Sequence, residues 1–114
     1  MPLPETEREI VQVTLEVYCR TKVPLRLTQK LRVGFRIRGN RVTLFEQRPA
    51  VMHPDEWVDI VVAQFRYDAG ENRWTLYCAD RNSRWHCYDE AGPSERFEDL
   101  VDEVEQDLTG IFWG

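Results

Sequence analysis

The dipeptide Gly39-Asn40 divides two runs of alternating residues, LRVGFRIR and RVTLFEQR, and constrains the fold more than any other stretch. Both residues accept the positive φ of a two-residue turn, whose twist suits an antiparallel hairpin. Such a turn sets the register. Arg38 falls opposite Arg41, Ile37 opposite Val42, Phe35 opposite Leu44 and Val33 opposite Glu46. Alternation then assigns the faces. Leu31, Val33, Phe35, Ile37, Val42 and Leu44 share one face, which must be buried. Arg32, Arg36, Arg38 and Arg41 share the other with Thr43, Phe45 and Gln47. Gly34 lies opposite Phe45 and leaves that ring room.

The sheet continues beyond a loop at residues 49–56 that carries two prolines. A third strand is expected from Trp57 to Tyr67, followed by a tight turn at Ala69-Gly70. That turn places Phe65 against Trp74, Ala63 against Leu76 and Val61 against Cys78 as a second apolar layer, with Val62, Gln64, Arg66, Thr75 and Tyr77 behind it. The stretch WTLYCADRNSRWHCY, Trp74 to Tyr88, reads as another hairpin, two aromatic runs around a polar tip. With a tip at Arg81-Asn82 or an equivalent loop, Cys78 is expected opposite Cys87 and Tyr77 opposite Tyr88. Trp74, Leu76, Cys78, Trp85 and Cys87 then share the core face, while Tyr77, His86 and Tyr88 form an exposed sheet face. Sequential hairpins make a five-stranded antiparallel meander.

A helix is expected at each end of the sheet. Thr6 and Glu9 have capping-box spacing, and Ile10, Val13, Thr14 and Val17 recur at helical intervals, widened by Leu15 and Tyr18. Alternation of Val11, Val13, Leu15 and Val17 supports a strand instead. The charged lead-in favours a helix over about residues 6–20. After Ala91-Gly92-Pro93, Ser94 reads as an N-cap. Phe97, Leu100, Val101, Val104 and Leu108 form the stripe of a C-terminal amphipathic helix wrapped in carboxylates, with Gly110 as its stop. Early acids suit a helix N-terminus; Asp107 at the far end does not. The apolar Ile111, Phe112 and Trp113 should tuck against the sheet or a second subunit, which makes Phe112 and Trp113 a candidate interface. The expected class is therefore α+β, with an N-terminal helix, a five-stranded antiparallel meander sheet and a C-terminal amphipathic helix in a single domain over residues 1–114.

Charge separates along the chain. The net charge is -5, yet residues 1–50 hold ten Lys and Arg against five Asp and Glu. Thirteen of the fifteen basic residues are Arg, which favours planar, bidentate contacts over diffuse solubilising charge. No run approaches the roughly 18 apolar residues of a membrane span, and MPLPETEREI lacks the pattern of a signal peptide. No membrane association and a cytoplasmic location are expected. Three Cys without CxxC spacing indicate neither a disulfide framework nor a common zinc motif.

No catalytic, cofactor-binding or metal-ligating residue stands out. His86 is expected on the opposite face from Cys78 and Cys87, so the three make no ligand set, and buried thiols act as small hydrophobes. His86 with Asp80 or Asp89 has no nucleophile to activate. Glu98, Asp102 and Glu105 crowd one solvated helix face, with nothing to separate their pKa values. The informative feature is the basic face. Arg32, Arg36, Arg38 and Arg41 beside rings could hold phosphates and bases of a single-stranded nucleic acid or another anion. The same arginines could instead pair with the acidic C-terminal helix, and the overall negative charge opposes a dedicated nucleic-acid binder.

LRVGFRIRGNRVTLFEQRP, the run from Trp74 through Trp85-His86 to Tyr88, and the terminal GIFWG together resemble a bacterial family known as domain of unknown function 3024. The resemblance spans nearly the whole chain. It implies a short stand-alone protein with a helix, an antiparallel sheet and a C-terminal helix, and supplies no activity, cofactor or catalytic residue. The chain departs from the family pattern at Val51, where the family has Trp, and at Cys78, where it favours an aromatic. The leading functional expectation is a small non-catalytic protein acting through a protein partner or as a homodimer. Binding of single-stranded nucleic acid or another anionic ligand is the alternative.

Overall fold

The computed structural model describes residues 2–114. Helix α1 (Glu5–Lys22) leads through a short 3-10 turn into strands β1 (Arg32–Arg38), β2 (Arg41–Pro49), β3 (Trp57–Asp68), β4 (Arg73–Ala79) and β5 (Trp85–Cys87), and helix α2 (Phe97–Gln106) comes last. The strands form one antiparallel sheet in the order β1-β2-β3-β4-β5. Every neighbour is the next strand in sequence, so the meander expected from the turns is the topology found.

Both helices lie on one side of the sheet. α1 packs on β1, α2 packs on β4, and the helices touch each other. Between them and the sheet lie Val11, Leu15, Val42, Leu44, Phe65, Trp74, Leu76, Phe97, Leu100 and Val104, all essentially solvent-free. Phe97 anchors α2. Its ring meets Phe65 edge-on and Trp74 at a tilt, both at 4.8 Å between centroids. Burying such a ring contributes about 2–3 kcal/mol. Among the described residues Trp74 Nε1 finds no hydrogen-bond partner.

The β1–β2 hairpin has the register that Gly39-Asn40 demands, from Arg38 opposite Arg41 to Val33 opposite Glu46. A Cβ added at Gly34 would meet the Phe45 ring at 3.1 Å, so the glycine does accommodate that ring. The next two turns differ from expectation. The β3–β4 loop has four residues, Ala69–Asn72, with Asn72 at φ 53. Phe65 therefore faces Leu76, Ala63 faces Cys78 and Tyr67 faces Trp74. This shift of two positions preserves the faces. A β-bulge opposite Leu44 and Phe45 adds a residue to β3. Val62 joins the core, and Val61, expected there, turns outward half-buried.

The β4–β5 tip runs from Asp80 to Arg84, and a bond from the Asp80 N–H to the Arg84 carbonyl closes it around three residues. Asp80 Oδ1 accepts the N–H groups of Asn82 and Arg84, and Ser83 takes φ 60. The register is consequently Tyr77 with Cys87, Cys78 with His86 and Ala79 with Trp85. A slip of one residue reverses every side chain of the strand. Trp85 and Cys87 leave the expected core face, and Tyr88 enters the core at 5% exposure.

The helices also correct the sequence reading. α1 starts at Glu5, directly after Pro4, and no side chain caps it, so Thr6 and Glu9 form no capping box. Its buried residues are Val11 and Leu15, with Tyr18 and Cys19 packed beside them. Ile10, Val13 and Val17 face solvent. α2 buries Phe97, Leu100, Val101 and Val104 as expected, but Leu108 is exposed. Ser94 is not its N-cap. It forms a backbone bridge with Trp74, while its hydroxyl accepts the Arg96 N–H. The stop is not Gly110 but Asp107, which takes the left-handed conformation at φ 48.

Candidate functional site

Because the helices share one side, the other side of the sheet lacks a layer. Registered pairing puts Arg32, Arg36 and Arg38 of β1, Arg41 of β2, Arg66 of β3 and Arg73 of β4 on this open face. Only Asp59 and Asp68 stand against these six arginines among the described residues of the face. A chain that is acidic overall thus carries a basic surface. The C-terminal helix does not cover the four arginines singled out in the sequence. All four are exposed.

Three aromatic rings among these charges lie under a guanidinium. Arg32 stacks over Trp57 at 3.9 Å, Arg36 over Phe45 at 4.6 Å and Arg66 over Tyr77 at 3.8 Å. Such stacks hold the guanidinium against the ring and leave N–H groups at its rim free to donate. Gln64, nearly buried, fixes the third stack. Its Nε2 donates to Thr43 Oγ1 at 3.0 Å, and its Oε1 accepts Arg66 Nε at 2.7 Å.

Of the six arginines, only Arg36 has a carboxylate within ion-pair distance among the described residues. Arg36 is compensated by Asp59 at 2.7 Å. A hydrogen bond from Gln47, then that ion pair, holds the Asp59 carboxyl below the usual carboxylate range. Arg38, Arg41 and Arg66 form a row across three adjacent strands, Arg38 opposite Arg41 and Arg41 opposite Arg66. Among the described residues no carboxylate is within ion-pair distance of any of the three. Like charges directly opposite on neighbouring strands destabilise a sheet. Beside this row, between the turns at Asn40 and Asp68, opens a groove of about 500 Å³ that also touches Thr75 and Tyr77.

Strand alternation places Arg32, Arg36, Arg38 and Arg41 here, with Arg66 and Tyr77 on the same side. Trp57 carries no signal of a role in the sequence, and Trp85, expected in the core, is on this face instead. Of the expected exposed trio, Tyr77 is on this face, half-buried beneath Arg66. His86 and Tyr88 are on the other. His86 is exposed at the β4–β5 tip, where its Nε2 lies 2.8 Å from Asp80 Oδ2. That contact, then the Arg84 and Asn82 N–H groups, holds the Asp80 carboxyl below its usual range. Asp80 is thus engaged in shaping the loop. Tyr88 packs against Phe112 at 4.9 Å.

Phe112 and Trp113 make no open apolar patch. Phe112 is buried on Tyr88, and Trp113 is half-buried with its Nε1 donating to the Tyr18 hydroxyl at 3.1 Å. Tyr18 and Lys22 both donate to Glu105 at 2.8 Å, and Lys22 Nζ sits 4.6 Å above the Trp113 ring. This network ties α1, α2 and the terminal segment together. Asp107 completes it. Its carboxylate accepts the backbone N–H groups of Phe112, Trp113 and Gly114 at 3.0, 2.8 and 3.1 Å. Burial pushes the Asp107 pKa up, but these donors and Ile111 outweigh it and hold the pKa below the carboxylate norm. The residue that looked misplaced at a helix C-terminus is the clamp for the terminal segment.

Among the described residues no group of three or more His, Cys, Asp or Glu is placed to hold a metal ion, and no helix is long and apolar enough to cross a membrane. No curated protein and no solved structure matches the chain. A family model matches residues 3–114, and the chain belongs to the family described as Domain of unknown function (DUF3024).

Proposed function

We propose that this protein is a non-catalytic binding module whose open sheet face holds single-stranded nucleic acid. The observation that carries this reading is the uncompensated row Arg38, Arg41 and Arg66 beside three Arg-capped rings. Phosphates would relieve the repulsion along the row. Bases would stack on guanidinium planes and on rings uncovered when an arginine turns to a phosphate. A duplex fits less well, because a broad sheet face presents no element for a groove.

The test is titration of fluorescent oligothymidylate and oligouridylate at low ionic strength. Three phosphate contacts give a slope of log affinity against log salt of about -2, and each Arg→Ala change in the row should reduce its magnitude by about 0.7. Trp57→Ala and Tyr77→Ala should weaken binding with the slope unchanged. Absence of binding to either strand at low salt would remove the proposal.

A further inference from the structure

Helix α1 has two apolar faces, and the fold uses one. Val11, Leu15, Tyr18 and Cys19 point into the core. On the opposite side Ile10 is 37% exposed, Val13 65% and Val17 46%. Their spacing, three then four residues, is that of a heptad seam, and Thr6 and Arg20 continue it in both directions. Shallow grooves run along both flanks of Val13, one walled by Arg8, Gln12 and Glu16, the other by Ile10, Thr14 and Glu98. A ridge between two grooves is the shape that another helix ridge fits.

We infer that this stripe pairs with the same stripe of a second copy, the two α1 helices antiparallel about a two-fold axis at Val13. The charge pattern selects both occupant and direction. The first turn carries Glu5 and Glu7, with Glu9 next, and the last turn carries Arg20 and Lys22. Antiparallel pairing centred on Val13 sets Arg20 of one copy opposite Thr6 of the other, within a turn of Glu5 and Glu9. A two-fold axis makes this pairing twice. A parallel pair would set acid against acid and base against base. The helix dipoles also favour the antiparallel arrangement. α1 lies on the side of the sheet away from the arginine face, so a dimer leaves both basic faces free.

An 18-residue helix is about 27 Å long, and one helix pair is a small interface. The dimer is therefore a concentration-dependent one. Sedimentation velocity across a range of concentrations should show a monomer–dimer equilibrium. Val13→Glu, at an exposed position that leaves the core untouched, should weaken it by about tenfold or more, with the circular dichroism spectrum unchanged. Glu9→Arg and Arg20→Glu should each weaken it, and the double variant should restore it, which general loss of folding cannot mimic. In a Cys87→Ser background, Val13→Cys should cross-link between copies on oxidation and Thr6→Cys should not. A chain that stays monomeric at millimolar concentration, a dimer indifferent to Val13→Glu, or ready cross-linking of Thr6→Cys would overturn the inference.

Discussion

Replacing Asp107 tests whether one carboxylate holds the terminal segment. Asp107→Ala removes three hydrogen bonds to a charged acceptor. For a part-exposed carboxylate these contribute about 0.5–1 kcal/mol each. Alanine is also strained at φ 48, at a cost of about 1 kcal/mol. If Phe112 loosens from Tyr88, part of the roughly 2–3 kcal/mol of a buried ring goes as well. The expected loss is about 3 kcal/mol, a fall in melting temperature of about 10 °C for a domain of this size. Urea unfolding monitored by circular dichroism should show a lower midpoint with an unchanged slope, and Trp113 emission should shift to the red in the folded state. Asp107→Gly separates backbone from clamp, since glycine tolerates the left-handed conformation but accepts no hydrogen bonds. It should remain destabilised. Combined with Phe112→Ala, Asp107→Ala should cost much less than the sum of the two single changes, because both release the same segment. Additive costs, or a loss below about 1 kcal/mol, would refute the clamp. The pH dependence has a definite sign. The folded pKa lies below the unfolded one, so the folded state binds fewer protons, and the contribution is present above the unfolded carboxylate pKa. As pH falls from about 4 through the folded pKa, Asp107 becomes protonated and the contribution disappears. Trp113 emission should track that loss in the wild type and not in Asp107→Ala.

Packing and loop geometry set three further outcomes. Trp74→Phe should change stability by less than about 1 kcal/mol, because the lost volume is offset by removing a buried donor without a partner, whereas Trp74→Ala should cost about 3–5 kcal/mol in the same urea titration. A thiol reagent at neutral pH should label one cysteine per folded chain, Cys87, because it is the exposed one while Cys78 is buried and Cys19 half-buried; all three thiols are raised, Cys19 to about 11 by burial and Cys87 by burial and then Asp89, so accessibility decides, and prompt labelling of all three would contradict the packing. Asp80→Ala should accelerate amide exchange at Asn82 and Arg84, which lose their acceptor, without altering exchange in the β1–β2 hairpin.

How much of the fold was legible depends on how each element encodes its neighbour. Gly39-Asn40 is a two-residue turn, with Gly39 alone at positive φ, 62; either favoured hairpin geometry gives the same register, so the first register and the arginine face could be read residue by residue. The α2 stripe was equally plain from Phe97 to Val104, because only one of its sides is apolar; Leu108 fell outside it because the helix stops at Asp107. The β4–β5 tip was not legible. Its extra residue depends on Ser83 adopting φ 60, a conformation serine rarely signals, and one residue decides whether Trp85 or His86 faces outward. The bulge at Val62 is silent for a similar reason, since the continuous apolar stretch Ile60-Val61-Val62-Ala63 has no parity of its own. α1 misled because both of its sides are apolar. Periodicity shows that a stripe exists, not which stripe the fold buries. The part of the candidate site contributed by Trp57 and Arg66 required the sheet to be assembled, because strands distant in sequence supply ring and guanidinium to one surface.

The hydrogen bond between Trp113 and Tyr18 joins residues 95 positions apart, while every strand pairs with its immediate neighbour. A chain emerging from the ribosome can therefore zip the sheet one hairpin at a time, by contacts of short sequence separation. α1 can dock on β1 as soon as the first hairpin has formed, but its ties to α2 and the Trp113 segment close only after nearly all of the chain has appeared. Until then the end of α1 that carries Tyr18 lacks its cover, and this is the interval in which a chaperone has its best opportunity to bind it.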